Sequence, residues 1–467
     1  MAYSRLFCTN PLMQNQTDDF LYIQKLVWGI IIYLIMTMKL RNIPFSPPDM
    51  TEREAEEVKN AIMSGWITTG PRTKKLEQQI SEYLHTSKTV CLNSATASME
   101  MVLHLLDIKP DDEVIVPAYT YTATASVTQH IGCKLVMVDS QKDCVEMDYD
   151  KLSEAITEHT KVIVPVDIAG IVADYDRVFE IVEEKRHLFR PGNALQAMIG
   201  RIVVSADCAH SFGANSKGKM AGEIADFSSF SFHAVKNFTT AEGGAMTWNL
   251  PFGGEVVPTD VDYLPTVPKK EGETWNELLY RVSQLFSLHG QNKDALAKIK
   301  LGAWEYDIIG PWYKCNMTDI MAAIGLVQFE RYPEILSKRR KYVSIYNEVI
   351  DKLNIQLDEG HKVVYLNHYD VDHCSSHHLY LLRLSGRSRE EVNKVIELMA
   401  ERGIATNVHY KPLPLMTAYK ELGFDIKDFQ NAYHLYENEI TLPLNTKMSE
   451  EDVEYVVSNF CDILKTL

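Results

Sequence analysis

The run Ser231-Phe232-His233-Ala234-Val235-Lys236-Asn237 sets one lysine directly after an apolar, aromatic stretch with the character of a strand. Glu242-Gly243-Gly244 turns the chain shortly afterwards. An ammonium ion held against apolar surface loses hydration, which favours its neutral amine. A neutral lysine amine attacks a carbonyl carbon and forms a Schiff base. Most lysines only solvate a surface, so the meaning of Lys236 depends on what stands at the ends of the other strand-like runs.

Asp207 follows the apolar run Arg201-Ile202-Val203-Val204-Ser205. In open α/β sheets the ligand crevice lies at the carboxyl ends of the strands. A carboxylate there stabilises a protonated ring nitrogen. Taken alone, Asp207 reads first as a cap or loop aspartate. His210 is spaced to pack on or hydrogen-bond the same ligand, or it is a satisfied structural histidine. Asn93-Ser94-Ala95-Thr96-Ala97 sits between a strand and a helix beginning near Ser98. Small residues at a helix N-terminus suit a phosphate cup, and equally a simple capping turn. Tyr121, within Tyr119-Thr120-Tyr121-Thr122, is either a stacking face for a flat heterocycle or a core aromatic. Phosphate cup, aromatic face, strand-end aspartate and reactive lysine, in this order, are the parts that bind pyridoxal 5′-phosphate (PLP).

The elements that must position these residues follow an α/β pattern from Asn42 onward. Expected strands are 89–92, 113–116, 134–138, 162–166, 201–205, 227–232 and 244–248, and later 380–384. Expected helices include 52–64, 73–84, 98–106, 149–156, a charged piece over 176–190, a long helix over 317–332, 387–402 and 449–464. The near-continuous apolar runs fit strands buried on both faces of a mainly parallel sheet. Residues 251–275, rich in Pro, Gly, Lys and Glu, read as an exposed loop.

The chain has 467 residues, which suggests two domains. The expected division is a tail over 1–42 outside the fold, a large cofactor-binding domain over 43–332 and a smaller C-terminal domain over 333–467. A formal net charge of −16 argues against a nucleic-acid binder, which needs clustered cations. The eight cysteines are scattered without a CxxC pair, so neither a disulfide framework nor a zinc site is expected. They read as thiols of a reducing cytoplasm. Val27–Met38 is an apolar run shorter than the ~20 residues of a membrane span. It reads as sequence ahead of a folded chain that begins at Met38, with an interfacial anchor helix as the alternative.

These stretches resemble the DegT/DnrJ/EryC1/StrS sugar aminotransferases. The matching segments are Gly65–Pro71, Asn93–Ala97, Val116–Tyr121, Ala206–His210, Ser231–Gly244, Tyr313–Ile320, Gly403–Leu413 and Leu442–Leu444. The likeness covers roughly 43–467 and implies a fold-type I PLP enzyme with a mainly parallel seven-stranded sheet and a smaller α/β domain. It implies that Lys236 links to PLP and that Asp207 pairs with the pyridine nitrogen. Tyr121 would stack on the ring, and His210 would lie on its hydroxyl side. Thr96, Ala97 and Ser231 would hold the phosphate, and Asn316 would reach it from the neighbouring subunit of a homodimer with shared active sites. The chain departs from the family where Tyr121 stands in place of a Trp or Phe. It also departs where Gly310-Pro311-Trp312 replaces the usual Gly-Tyr pattern.

The implied reaction moves an amino group, with glutamate as donor, to a keto group of a nucleotide-linked sugar in surface polysaccharide or glycan biosynthesis. Thr69, His378, His409 and Tyr410 are the substrate-facing candidates, beside Lys411 and a structural reading for each. The alternatives are a PLP-dependent sugar dehydratase, in which His replaces the lysine, and a non-catalytic regulator free to lose Asp207 or Lys236. Both residues are present.

Overall fold

The computed structural model describes residues 41–261, 263–264, 266–292 and 305–467, so the Val27–Met38 run lies outside the described residues. Residues Ile43–Leu467 cluster as one compact unit. In chain order the strands are β1 (Lys88–Leu92), β2 (Glu113–Pro117), β3 (Lys134–Val138), β4 (Thr160–Ile163), β5 (Val203–Asp207), β6 (Asn215–Ser216) and β7 (Lys219–Met220). They continue as β8 (Phe227–Ser231), β9 (Gly244–Trp248), β10 (Val363–Tyr365), β11 (His373–Cys374), β12 (Tyr380–Leu384) and β13 (Glu439–Leu442).

A 7-stranded sheet has the order β1-β9-β8-β5-β4-β2-β3. Its pairs are parallel except where β9 runs antiparallel to β1 and β8. Successive side chains of a strand point to opposite faces. Val114 and Val116 accordingly join one apolar cluster with Val90, Val162, Val203 and Phe227. Ile115 joins the other with Cys91, Ile163, Val204 and Phe230. Both faces are therefore buried, as the near-continuous apolar runs require.

A second, antiparallel sheet of β10, β12 and β13 packs with the helices Arg389–Glu401 and Glu450–Thr466 around a third cluster. β11 pairs with β6, which ties this later part of the chain back to the earlier one.

Two expectations are corrected. The long helix spans Asp319–Asn354 and carries Pro333 in its interior. An interior proline costs roughly 3 kcal/mol in a helix, because it removes one N–H donor and crowds the preceding turn. Packing on both sides of Pro333 offsets that cost. Tyr332 is buried and donates its hydroxyl to Phe212 O. Arg339 is buried and donates to the carbonyls of His377 (2.7 Å) and His378 (2.6 Å). The stretch 251–275 is irregular, but it is not a solvated loop. Phe252, Tyr263, Val267 and Trp275 are buried in the core cluster, and Trp275 opens the helix Trp275–Ser287. The Pro, Gly and charged residues dominate the composition of this stretch, while its aromatic residues anchor it.

One carboxylate organises a second helix start. The helix Pro71–Leu84 follows Gly70, which has no capping side chain. Asp319 Oδ1 accepts from the N–H groups of Gly70 (2.8 Å) and Thr73 (2.9 Å), and Oδ2 accepts from Arg72 N–H (3.1 Å). Asp319 thereby caps a helix from outside it while opening its own.

Candidate active site

A cavity of about 400 Å³ lies beyond the carboxyl ends of β2, β5 and β8, lined among others by Lys236, Asp207 and Tyr410. Parallel strands bring those ends to one edge, so residues distant in sequence converge there.

Lys236 sits on the loop between β8 and β9, where its N–H donates to His233 O (2.9 Å). Burial pushes its ammonium down to about 8, and the Asp207 carboxylate pulls partly the other way. Its Nζ has no hydrogen-bond partner among the described residues. Asp207 ends β5 and is 4% exposed. Its Oδ2 accepts from Thr124 Oγ1 (2.7 Å) and its Oδ1 from Ala209 N–H (3.1 Å). Burial raises its pKa against the pull of those donors and of Lys236. Among the described residues no cation lies within ion-pair distance of it. A protonated pyridine nitrogen is the kind of partner that this carboxylate lacks.

The helix Ala95–Leu105 starts at the cavity wall. Ser94 caps it by accepting from Ala97 N–H (3.1 Å). That bond occupies Ala97, which does not line the cavity, whereas Ser94, Ala95 and Thr96 do. Ser231 and Gly243 face the same space from β8 and the turn before β9. A Cβ built on Gly244 would stand 2.3 Å from the Ser94 carbonyl carbon. This close approach of β9 to the helix start admits only glycine. Gly244→Ala should cost about 1–3 kcal/mol in chemical denaturation by forcing the two apart. The same displacement should weaken retention of added PLP, measured by dialysis. The site thus offers a helix N-terminus for a phosphate, an uncommitted amine for an aldehyde and an unpaired carboxylate for a ring nitrogen, which fits PLP.

Tyr121 stands at the mouth, 60% exposed, with its ring 6.1 Å from that of Tyr410. His210 is placed deeper. Its Nδ1 accepts from Ala169 N–H (3.3 Å), which puts the ring proton on Nε2, and Nε2–H then donates to Tyr410 Oη (3.0 Å). Burial first, then the positive charge of Lys236, hold His210 well below the ordinary histidine range. It is neutral. His378 and His409 also line the cavity. His409 Nδ1 lies 3.0 Å from Thr441 Oγ1, and its N–H donates to Glu439 Oε2 (2.9 Å). Burial lowers His409 to about 3 and raises the Glu439 carboxyl to about 8.

Two sequence candidates lie elsewhere in this chain. Thr69 Oγ1 donates to Met317 O (2.6 Å) and accepts from Asn316 Nδ2 (2.6 Å), and both residues line a separate groove. Sequence reasoning passed over Thr124, Glu439 and Asn237. Thr124 had a signal, since it stands three residues after Tyr121, one turn into the helix Thr122–Ile131. Glu439 had none, being a lone carboxylate in an apolar strand.

Comparison with known proteins gives concordant results. The model of the DegT/DnrJ/EryC1/StrS aminotransferase family matches residues 48–461. The spore coat polysaccharide biosynthesis protein SpsC of Bacillus subtilis is 29% identical over 429 residues, 91% of this chain and 97% of that protein. The UDP-4-amino-4-deoxy-L-arabinose–oxoglutarate aminotransferase of Shewanella sediminis is 31% identical over 432 residues, 90% and 98% of the two chains. Among solved structures, the PLP form of Spr1654 from Streptococcus pneumoniae, named as a sugar aminotransferase, is 51% identical. It superposes with a TM-score of 0.81, covering 91% of this chain and 99% of that one. Its PMP form is 52% identical at the same TM-score of 0.81, covering 91% and 100%.

Proposed function

The chain belongs to the DegT/DnrJ/EryC1/StrS aminotransferase family, and from that membership we propose that it moves an amino group from glutamate to a keto group of a nucleotide-linked sugar, in polysaccharide or glycan biosynthesis. The observation that carries the reading is the placing in one cavity of Lys236, a lysine pushed down to about 8, and a buried Asp207 that has no ion-pair partner among the described residues. The Shewanella relative supports the substrates, because its name pairs a UDP-linked amino sugar with oxoglutarate, the keto counterpart of glutamate.

Bound PLP supplies an aldehyde that takes up the amino group and a ring that accepts the electron pair left when a substrate C–H proton departs. Lys236 Nζ would remove that proton as a general base and, acting from the same side, return it as a general acid where the exchange ends. Asp207 holds the positive charge at the ring nitrogen, and Thr124 and Ala209 fix the carboxylate in place. Ser231, Thr96 and the free N–H groups at the start of the helix Ala95–Leu105 take the phosphate. Tyr121 covers the ring face. His378, His409 and Tyr410 face the sugar.

The working unit in this reading is a homodimer, with a cofactor-binding part over 43–332 and a smaller part over 333–467. Asn316, held by Thr69 away from its own chain's Lys236 cavity, is the residue offered to a neighbour's phosphate. The seven described cysteines are free thiols, which suits a reducing cytoplasm. No helix among the described residues is long and apolar enough to cross a membrane.

The test is a panel of UDP-, dTDP- and GDP-linked keto-sugars incubated with the full chain, PLP and glutamate. Glutamate-dependent amination of at least one member is expected. A protein that stays colourless with PLP and converts none of them would overturn the proposal.

A further inference from the structure

Asn237 follows the reactive lysine directly, yet it takes no part in the chemistry described so far. Its side chain is buried against the Ser376 carbonyl, the Tyr332 hydroxyl and one imidazole. Asn237 Nδ2 donates to Ser376 O (2.7 Å). A carbonyl accepts only from the amide nitrogen, so the orientation of the Asn237 amide is settled and Oδ1 faces His378. Oδ1 stands 2.9 Å from His378 Nδ1. An amide oxygen cannot donate, so His378 Nδ1 carries the ring proton. Nε2 is left as a lone-pair acceptor with no partner among the described residues, on a ring that lines the cavity.

The backbone around His378 is fixed as firmly as the ring. Its N–H donates to Ala169 O (3.1 Å), and Ser376 N–H donates to Gly170 O (3.0 Å). Arg339 holds the carbonyls of His377 and His378 from the long helix. The His210 ring lies 4.4 Å from that of His378, and its Nε2–H is already spent on Tyr410 Oη. Tyr410 accepts that bond and retains its own hydroxyl proton. Around one corner of the cavity, His378 therefore offers an acceptor and Tyr410 a donor, with no net charge on either. A hydroxylated ring supplies the complementary donor and acceptor, whereas a phosphate supplies acceptors only.

We propose that Asn237 is a positioning residue for the sugar half of the reaction, holding His378 in the Nδ1–H form so that Nε2 accepts a hydrogen bond from a sugar hydroxyl. The proposal rests on the sugar amino-transfer reading. It adds a residue and a hydrogen-bond polarity to that reading.

The first test needs no substrate. In ¹⁵N spectra of the cofactor-free full chain with labelled histidine, His378 should show a protonated Nδ1 and a bare Nε2 at pH 7. A His378 protonated at Nε2 overturns the proposal. In Asn237→Ala the Nδ1 partner is gone, and the ring should become a mixture of tautomers.

Kinetics supply the second test, with the best keto-sugar of the panel. Loss of one such hydrogen bond should raise KM for the sugar about tenfold, with a smaller change in kcat. Asn237→Asp distinguishes positioning from mere packing. Its carboxylate favours a doubly protonated His378, whose Nε2 then donates instead of accepting. Lys236, Arg339 and the rings of His210 and His409 also face His378, and each disfavours that added proton. KM in the Asp variant should therefore be high at low pH and fall toward the wild-type value as pH rises. A KM that is independent of pH, or unchanged in both variants, would overturn the proposal. Failure of the whole sugar panel would count against the amino-transfer reading, and the spectra would still decide the role of Asn237.

Discussion

Replacing Lys236 with alanine is expected to lower amino transfer by about 10⁴-fold, the upper end of the range attributed to a lost general acid–base group in a proton-transfer step. The loss should be larger than for any other single side chain in the cavity, because in the proposed reaction one amine both holds the cofactor and carries the proton. Its environment makes this double role possible. With its pKa pushed down to about 8 by burial, a usable fraction of Lys236 is neutral near neutral pH, where an ordinary lysine is almost entirely charged. Capture of added PLP by the cofactor-free wild type should therefore speed up as pH rises through about 8 and then level off. Absorbance of the lysine-linked cofactor follows both effects. The alanine variant should stay without that band, yet match the wild type in circular dichroism. A Lys236→Ala protein that retains the band and full turnover would remove the lysine from the mechanism.

Asp207→Asn should separate activity from stability. The amide keeps an acceptor for Thr124 but removes the charge, so turnover should fall about 10²–10³-fold, the range for losing one preorganised electrostatic contact. Stability should move the other way in the cofactor-free protein. Burial raises the pKa of Asp207 above its unfolded value. Its carboxyl then favours folding at low pH, and that contribution is lost as pH rises through the folded pKa. At neutral pH the folded chain carries a buried, unpaired charge that the asparagine variant lacks. The melting temperature of Asp207→Asn without cofactor should exceed that of the wild type at pH 7, and the gap should narrow toward pH 4. Saturating PLP should reverse the order, since only the carboxylate meets the ring nitrogen as a full charge. A variant less stable than the wild type at every pH, with or without PLP, would show that Asp207 is structural.

Most of what local order controls was legible in the sequence. The strand runs at 134–138, 244–248 and 380–384 match β3, β9 and β12 to the residue, because each is a compact β-rich run between turn signals. Lys236 and Asp207 were legible because strand-end positions in a parallel sheet share one edge, so a linear list of strand ends is already a spatial list. What remained hidden depends on contacts across long stretches of chain. Pro333 reads as a helix end until Phe212 and the carbonyls of His377 and His378 are seen to hold the helix on either side. The buried aromatics of 251–275 have the same explanation, since Tyr263 donates its hydroxyl to Leu105 O on a distant helix (2.8 Å). The tautomers of His210 and His378 are set by Ala169 and Asn237, residues to which the sequence pattern assigns no role.

Asp319 also fastens two distant segments of the chain to each other. The carboxylate that caps Pro71–Leu84 stands three residues beyond Asn316, while Asn316 is itself bonded to Thr69 on the approach to that same helix. The two segments are thus fastened to each other at both levels, before any second molecule is present. The entropy of ordering this edge is therefore lost during folding, and whatever later meets the edge finds it already ordered.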